Sequence, residues 1–105
     1  MAKVTIMLAC AAGMSTSLLV TKMQKAAEDK GLDAEIFAVP APEAEEIVAT
    51  KEVNVLLLGP EVRCLLGDFQ EKLKDRQIPV AVIPMTDYGM MNGSKVLDLA
   101  ESLLD

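Results

Sequence analysis

Val4-Thr5-Ile6-Met7-Leu8-Ala9-Cys10 runs directly into Ala11-Ala12-Gly13-Met14-Ser15-Thr16-Ser17, and the fold is decided by how these two halves are read. Lys3 to Ala9 reads as a buried strand, because its apolar run is short and bounded by a loop. Cys10 then falls at the strand's carboxyl end. Past the small-residue stretch, Ser15 and Thr16 are candidate N-caps, and Leu19, Val20, Met23, Ala26 and Ala27 recur at helical spacing up to a stop near Gly31. The opening is strand, tight loop, helix.

The same alternation continues outward. Asp33 to Val39 suits a second strand, and Pro42 with Glu43, Glu45 and Glu46 suits the start of a short helix ending around Lys51. Val53 to Leu58 is a third strand closed by Gly59-Pro60, followed by a helical stripe of Val62, Leu65, Leu66, Phe69 and Leu73. Pro79 to Ile83 gives a fourth strand. Val96, Leu99, Ala100, Leu103 and Leu104 mark a last helix starting near Asn92 to Ser94. Strict βαβαβαβα order implies an α/β three-layer fold: a four-stranded parallel sheet with right-handed crossovers and helices on both faces. Strand order 2-1-3-4 is expected, which puts a switch point between strands 1 and 3. The active edge is then Cys10 to Ser17, joined by Gly59 to Arg63 and by Pro84 to Gly89.

Composition narrows the function. The 105 residues suit one domain, residues 1–105, whose core needs no disulfide or metal. Aromatics are 3% of the chain, so Leu, Val, Ile, Ala and Met must fill the interior. A net charge of −6 argues against a nucleic-acid partner and against simple attraction to anionic lipid. Without a cleavable leader pattern or a membrane-length apolar run, the chain is expected to be cytoplasmic. Two cysteines and no histidine leave no zinc cluster and no CxxC pair, and exclude histidine-dependent catalysis by this chain. No cofactor is expected.

The Cys10–Ser17 stretch has the makings of an anion site. Small residues let successive N–H groups converge, and a helix N-terminus adds partial positive charge. The same field favours a thiolate at Cys10, the nucleophilic form of cysteine. Neither GxxxxGK[ST] nor GxGxxG is present, so nucleotide binding has no support. A free cysteine at a strand end is most often just a buried apolar residue, and its position before this loop is what shifts the balance.

Cys10-Ala-Ala-Gly13-Met14-Ser15-Thr16-Ser17 with Leu18-Leu19 resembles the active loop of the enzyme IIB components of the bacterial sugar phosphotransferase system, in the lactose, cellobiose and chitobiose class. Leu57-Leu58-Gly59-Pro60, Tyr88-Gly89 and Gly93 are further matches, and the similarity runs the length of the chain. Asn92 departs from the Asp that many relatives carry. The resemblance implies a phosphocysteine at Cys10, cradled by Ala11, Ala12, Gly13, Met14, Ser15, Thr16 and Ser17. It further implies a IIA phosphohistidine as donor, and as acceptor a β-glucoside or disaccharide-type sugar bound in a membrane-embedded IIC transporter. Through IIC the chain would sit peripherally at the membrane. The expected working form is a monomer with transient complexes, since no long apolar stripe is left over.

Other assignments compete. A low-molecular-weight protein phosphatase or arsenate reductase also sets a cysteine between strand and helix, and Asp87-Tyr88 is similar to the phosphatase general-acid loop. Such phosphatases need Cys-x5-Arg, and the arginine position here holds Thr16. A response-regulator receiver would want an aspartate ending the third strand, where Leu58-Gly59 stands. Met14 suits either an exposed docking contact or a side chain folded onto the core. Arg63, near the same edge, is most simply a solvated charge, Asp87-Tyr88 an ordinary turn, and Cys64 an outward-facing residue without a chemical role.

Overall fold

The computed structural model describes residues 3–11 and 14–104, with backbone alone for Met14, Ser15 and Thr16. Strands β1 (Val4–Cys10), β2 (Ala34–Pro40), β3 (Val55–Leu58) and β4 (Val80–Val82) form a parallel sheet in the order β2-β1-β3-β4. Helices α1 (Met14–Lys30), α2 (Ala41–Thr50), α3 (Leu66–Leu73), α4 (Met85–Gly89) and α5 (Gly93–Leu104) connect or follow them. The expected class and strand order hold, with helices on both faces of the sheet.

The central strand explains the arrangement. From Thr5 to Cys10 every residue of β1 is buried, as a strand covered on both faces requires. Alternation divides its side chains between two cores. Ile6 and Leu8 pack with Val55 and Leu57 of β3, Leu19, Val20, Met23 and Ala27 of α1, and Val96, Leu97 and Ala100 of α5. On the other face Met7 and Ala9 meet Leu56 and Leu58, together with Ala44 and Val48 of α2 and Phe69 and Leu73 of α3. Register runs Val4↔Ala34 to Cys10↔Pro40 on one side of β1 and Ile6↔Val55 to Ala9↔Leu58 on the other.

The strands begin and the first helix ends on identifiable signals. Asn54 Oδ1 accepts from the Thr5 N–H at 2.7 Å while the Asn54 N–H donates to the Thr5 carbonyl at 2.9 Å, which ties β1 to the chain entering β3. An Asn54→Ala variant should lose about 1–2 kcal/mol of unfolding free energy in urea titrations, because the Thr5 N–H keeps its burial and loses its acceptor. Helix α1 stops at Gly31, whose φ of +71° is left-handed. There the Leu32 N–H reaches the Ala27 carbonyl and the Gly31 N–H that of Glu28, a Schellman closure.

Three local expectations are corrected. Helix α1 starts at Met14, so Ser15 and Thr16 lie inside its first turn rather than at the cap position before it. The helix after Gly59-Pro60 opens as a 3-10 segment (Pro60–Leu65) with non-helical φ/ψ at Val62 and becomes α-helical at Leu66. Val62 and Phe69 are nevertheless buried, so the apolar stripe found its core through a tighter backbone. Asp87 and Tyr88 belong to the short helix α4 rather than to a simple turn.

Candidate functional site

In the order β2-β1-β3-β4 the chain leaves β1 toward β2 and later returns to the opposite side of β1 with β3. The crevice outside the carboxyl ends of β1 and β3 is therefore the switch point, where open parallel sheets bind ligands. Cys10 ends β1, and Gly59 continues β3. The Gly59 N–H donates to the Ala9 carbonyl at 2.8 Å, so the ladder runs on to the level of the cysteine.

Cys10 is fully buried, and its Sγ lies 3.9 Å from the Val39 carbonyl oxygen of β2. The sulfur is thus held at the sheet edge but covered. Ala11 follows it exposed. Ala12 and Gly13 lie outside the described residues, as do the side chains of Met14, Ser15 and Thr16, whose backbone forms the first turn of α1. A helix's first turn has N–H groups without intrahelical acceptors, and here that turn begins at Met14, with three residues between it and the end of β1. Ser17 is exposed on α1, and its carbonyl accepts from the Thr21 hydroxyl at 3.1 Å.

The remaining candidates divide. Arg63 spends its guanidinium on its own turn, with Nη1 donating to the Pro60 carbonyl at 2.9 Å. Cys64 is exposed, as its helical angle predicts. Tyr88 joins the edge by donating from its hydroxyl to Glu61 Oε1 at 3.2 Å, which links α4 to the segment after β3. Glu61 was not singled out in the sequence, although an acidic residue directly after Gly-Pro at a central strand end is a usable signal. Large apolar side chains stand exposed on the elements bordering this edge: Leu18 at 52%, Met85 at 66% and Met90 at 73%. Among the described residues, no group of three or more His, Cys, Asp or Glu side chains is placed to hold a metal, and no helix is long and apolar enough to cross a membrane.

Comparison with known proteins converges on one group. The family described as the PTS system lactose/cellobiose-specific IIB subunit matches residues 5–99. The cellobiose-specific EIIB component of Lactococcus lactis subsp. lactis is 51% identical over the whole of both chains. The oligo-beta-mannoside-specific EIIB component of Bacillus subtilis is 42% identical over 94% of each. Among solved structures, the cellobiose-specific IIB component of Borrelia burgdorferi superposes with a TM-score of 0.79 at 39% identity, covering 98% of this chain and 93% of that one. A lactose-specific IIB domain of Streptococcus pneumoniae reaches 0.87 over 99% and 100% at 13% identity, a likeness of fold alone. The parallel sheet agrees with the family match over residues 5–99 and with the 51% identity to a IIB component over both whole chains, and the chain belongs to the lactose/cellobiose-specific IIB family of the sugar phosphotransferase system.

Proposed function

We propose that the chain carries a phosphoryl group on Cys10, taking it from the phosphohistidine of a IIA protein and passing it to a β-glucoside or disaccharide-type sugar bound in a IIC membrane transporter. The observation that carries this reading is the placement of Cys10, at the carboxyl end of the central strand and at the switch point, ahead of the first turn of α1. A nucleophile and a set of N–H donors then meet where a phosphoryl group can be held without any cationic side chain.

In the first transfer, Sγ attacks phosphorus, the S–P bond forms as the donor's N–P bond breaks, and the thiol proton ends on the imidazole nitrogen. In the second, a sugar hydroxyl oxygen attacks, the S–P bond breaks, and the hydroxyl proton returns to sulfur. In-line positioning and charge stabilisation are the main requirements of such steps, and backbone donors supply both. Because Cys10 is fully buried, its sulfur must be uncovered before attack, and docking of the donor is the event that would do so. Leu18, Met85 and Met90 offer the apolar contact for such docking, and the chain works as a monomer that meets each partner transiently.

A phosphatase is the weaker reading. Its transition state needs a bidentate guanidinium; Thr16 stands at that position, and Arg63 is bonded to its own turn. Carrier and phosphatase make opposite demands on a thiophosphate. A Thr16→Arg variant that retains its fold by circular dichroism should therefore lose its phosphoryl group to water faster, by as much as roughly 10²-fold. Mass spectrometry of the phosphorylated variant, freed of its donor, follows the decay. An unchanged lifetime would shift the protective role from residue 16 to water exclusion.

The direct test of the carrier reading uses a phosphoenolpyruvate-driven donor chain ending in IIA. Intact mass should show one phosphate per chain, and adding IIC vesicles with sugar should remove it while sugar phosphate appears. Release of inorganic phosphate instead would favour the hydrolase.

A further inference from the structure

Gly59 is buried and extended (φ −62°, ψ 151°), and a Cβ placed on it would stand 2.9 Å from Oε1 of Glu61. The Glu61 carboxylate thus fills the space that a side chain at position 59 would take. Continuing the Ala9↔Leu58 register by one residue sets Gly59 beside Cys10, about 4.8 Å away across the sheet. Ile6 and Leu8 of β1 face the same core as Val55 and Leu57 of β3, so two residues further on Cys10 and position 59 face that same side. The carboxylate therefore lies over the residue that stands beside Cys10 on the neighbouring strand, while Sγ itself leans toward the Val39 carbonyl of β2, and the Tyr88 hydroxyl holds the carboxylate in place from α4.

We propose that Glu61, held by Tyr88, is an electrostatic tuning residue that sets how far phosphoryl transfer runs toward phospho-Cys10. This rests on Cys10 as the acceptor. Glu61 forms and breaks no bond in the transfer. Its negative charge opposes the dianion arriving at the end of the neighbouring strand. Phospho-Cys10 is thereby kept less stable than an isolated anion cradle would make it, and gives up its phosphoryl group more readily to the next acceptor. Over one to two strand spacings, about 5–10 Å, in a partly hydrated site, a single charge opposing a dianion moves the equilibrium by roughly ten-fold.

The test equilibrates wild type, Glu61→Gln, Glu61→Asp and Tyr88→Phe with the donor chain at a fixed ratio of phosphoenolpyruvate to pyruvate. The ratio of phosphorylated to free chain is read by intact mass, with the site assigned by peptide mapping. Glu61→Gln should raise that ratio roughly ten-fold over wild type at low salt, and the gap should close near 1 M salt, where screening acts within about 3 Å. Tyr88→Phe, which releases the carboxylate, should raise it less, and Glu61→Asp should stay nearer wild type than Gln does. A purely structural role for Glu61 would produce neither the salt dependence nor this ranking. Equal ratios in wild type and Glu61→Gln, both phosphorylated on Cys10, would overturn the proposal and leave the carrier reading standing. Phosphate on any other residue would overturn both.

Discussion

A Cys10→Ser variant is expected to take up no phosphate from a phosphorylated IIA donor and to support no sugar phosphorylation, whereas Cys64→Ser should match wild type in both. The contrast follows from placement. Cys10 ends the central strand ahead of the first turn of α1, while Cys64 lies exposed on the 3-10 segment after β3. A serine hydroxyl fits the space, but its oxygen is a far weaker nucleophile toward phosphorus than a cysteine sulfur. Removing a covalent nucleophile costs several orders of magnitude in rate, so the assay should read as loss rather than reduction. Phosphate uptake by Cys10→Ser at the wild-type rate would move the acceptor elsewhere.

The second large effect concerns Gly93, at the first position of α5. A Cβ there would stand 2.5 Å from the Lys22 carbonyl carbon and 2.7 Å from the Met23 nitrogen, both backbone atoms of α1. A flexible side chain could swing aside, but a helix backbone cannot. Gly93→Ala must therefore push α5 off α1, across a seam where Met23 packs beside Val96 and Leu97 and where Lys30 Nζ bonds Asp98 at 2.7 Å and also Glu101. The expected loss is about 3 kcal/mol, the upper part of the range for overpacking, and alanine's better helix propensity offsets only a fraction of it. Urea unfolding should show a lower midpoint at unchanged m-value. A change below about 0.5 kcal/mol, the size of an ordinary surface substitution, would mean that α1 and α5 have room to separate. Because α1 also carries the first turn beside Cys10, the variant should phosphorylate more slowly even where it remains folded.

Much of this was legible in the sequence because the strongest signals are periodic. The apolar run of β1 announces a strand covered on both faces, and the alternation of strands with helical stripes fixes a parallel sheet and its switch point. Gly31 and Gly59-Pro60 mark real ends. What escaped was set by tertiary contact. Val62 takes a non-helical conformation because the chain must bury Pro60 and Val62 against the end of the sheet before α3 can begin. The one-turn helix α4 is too short to show a period of its own. The placement of Glu61 over the residue beside Cys10 comes from a cross-strand register and an absent Cβ, a relation between positions 10, 59 and 61 that no local pattern encodes. The burial of Cys10 was one of the two readings open to it in the sequence, whereas the contact of its sulfur with the Val39 carbonyl, 29 residues away, was not visible there.

The measurement that tests the central claim most directly is phosphorus NMR of the wild-type chain phosphorylated by its donor, followed by peptide mass mapping of the same sample. The account predicts a single phosphorus resonance of a thiophosphate ester and a single modified peptide, the one containing Cys10. A resonance of an oxygen ester, or phosphate mapped to Ser15, Thr16, Ser17 or Cys64, would contradict it.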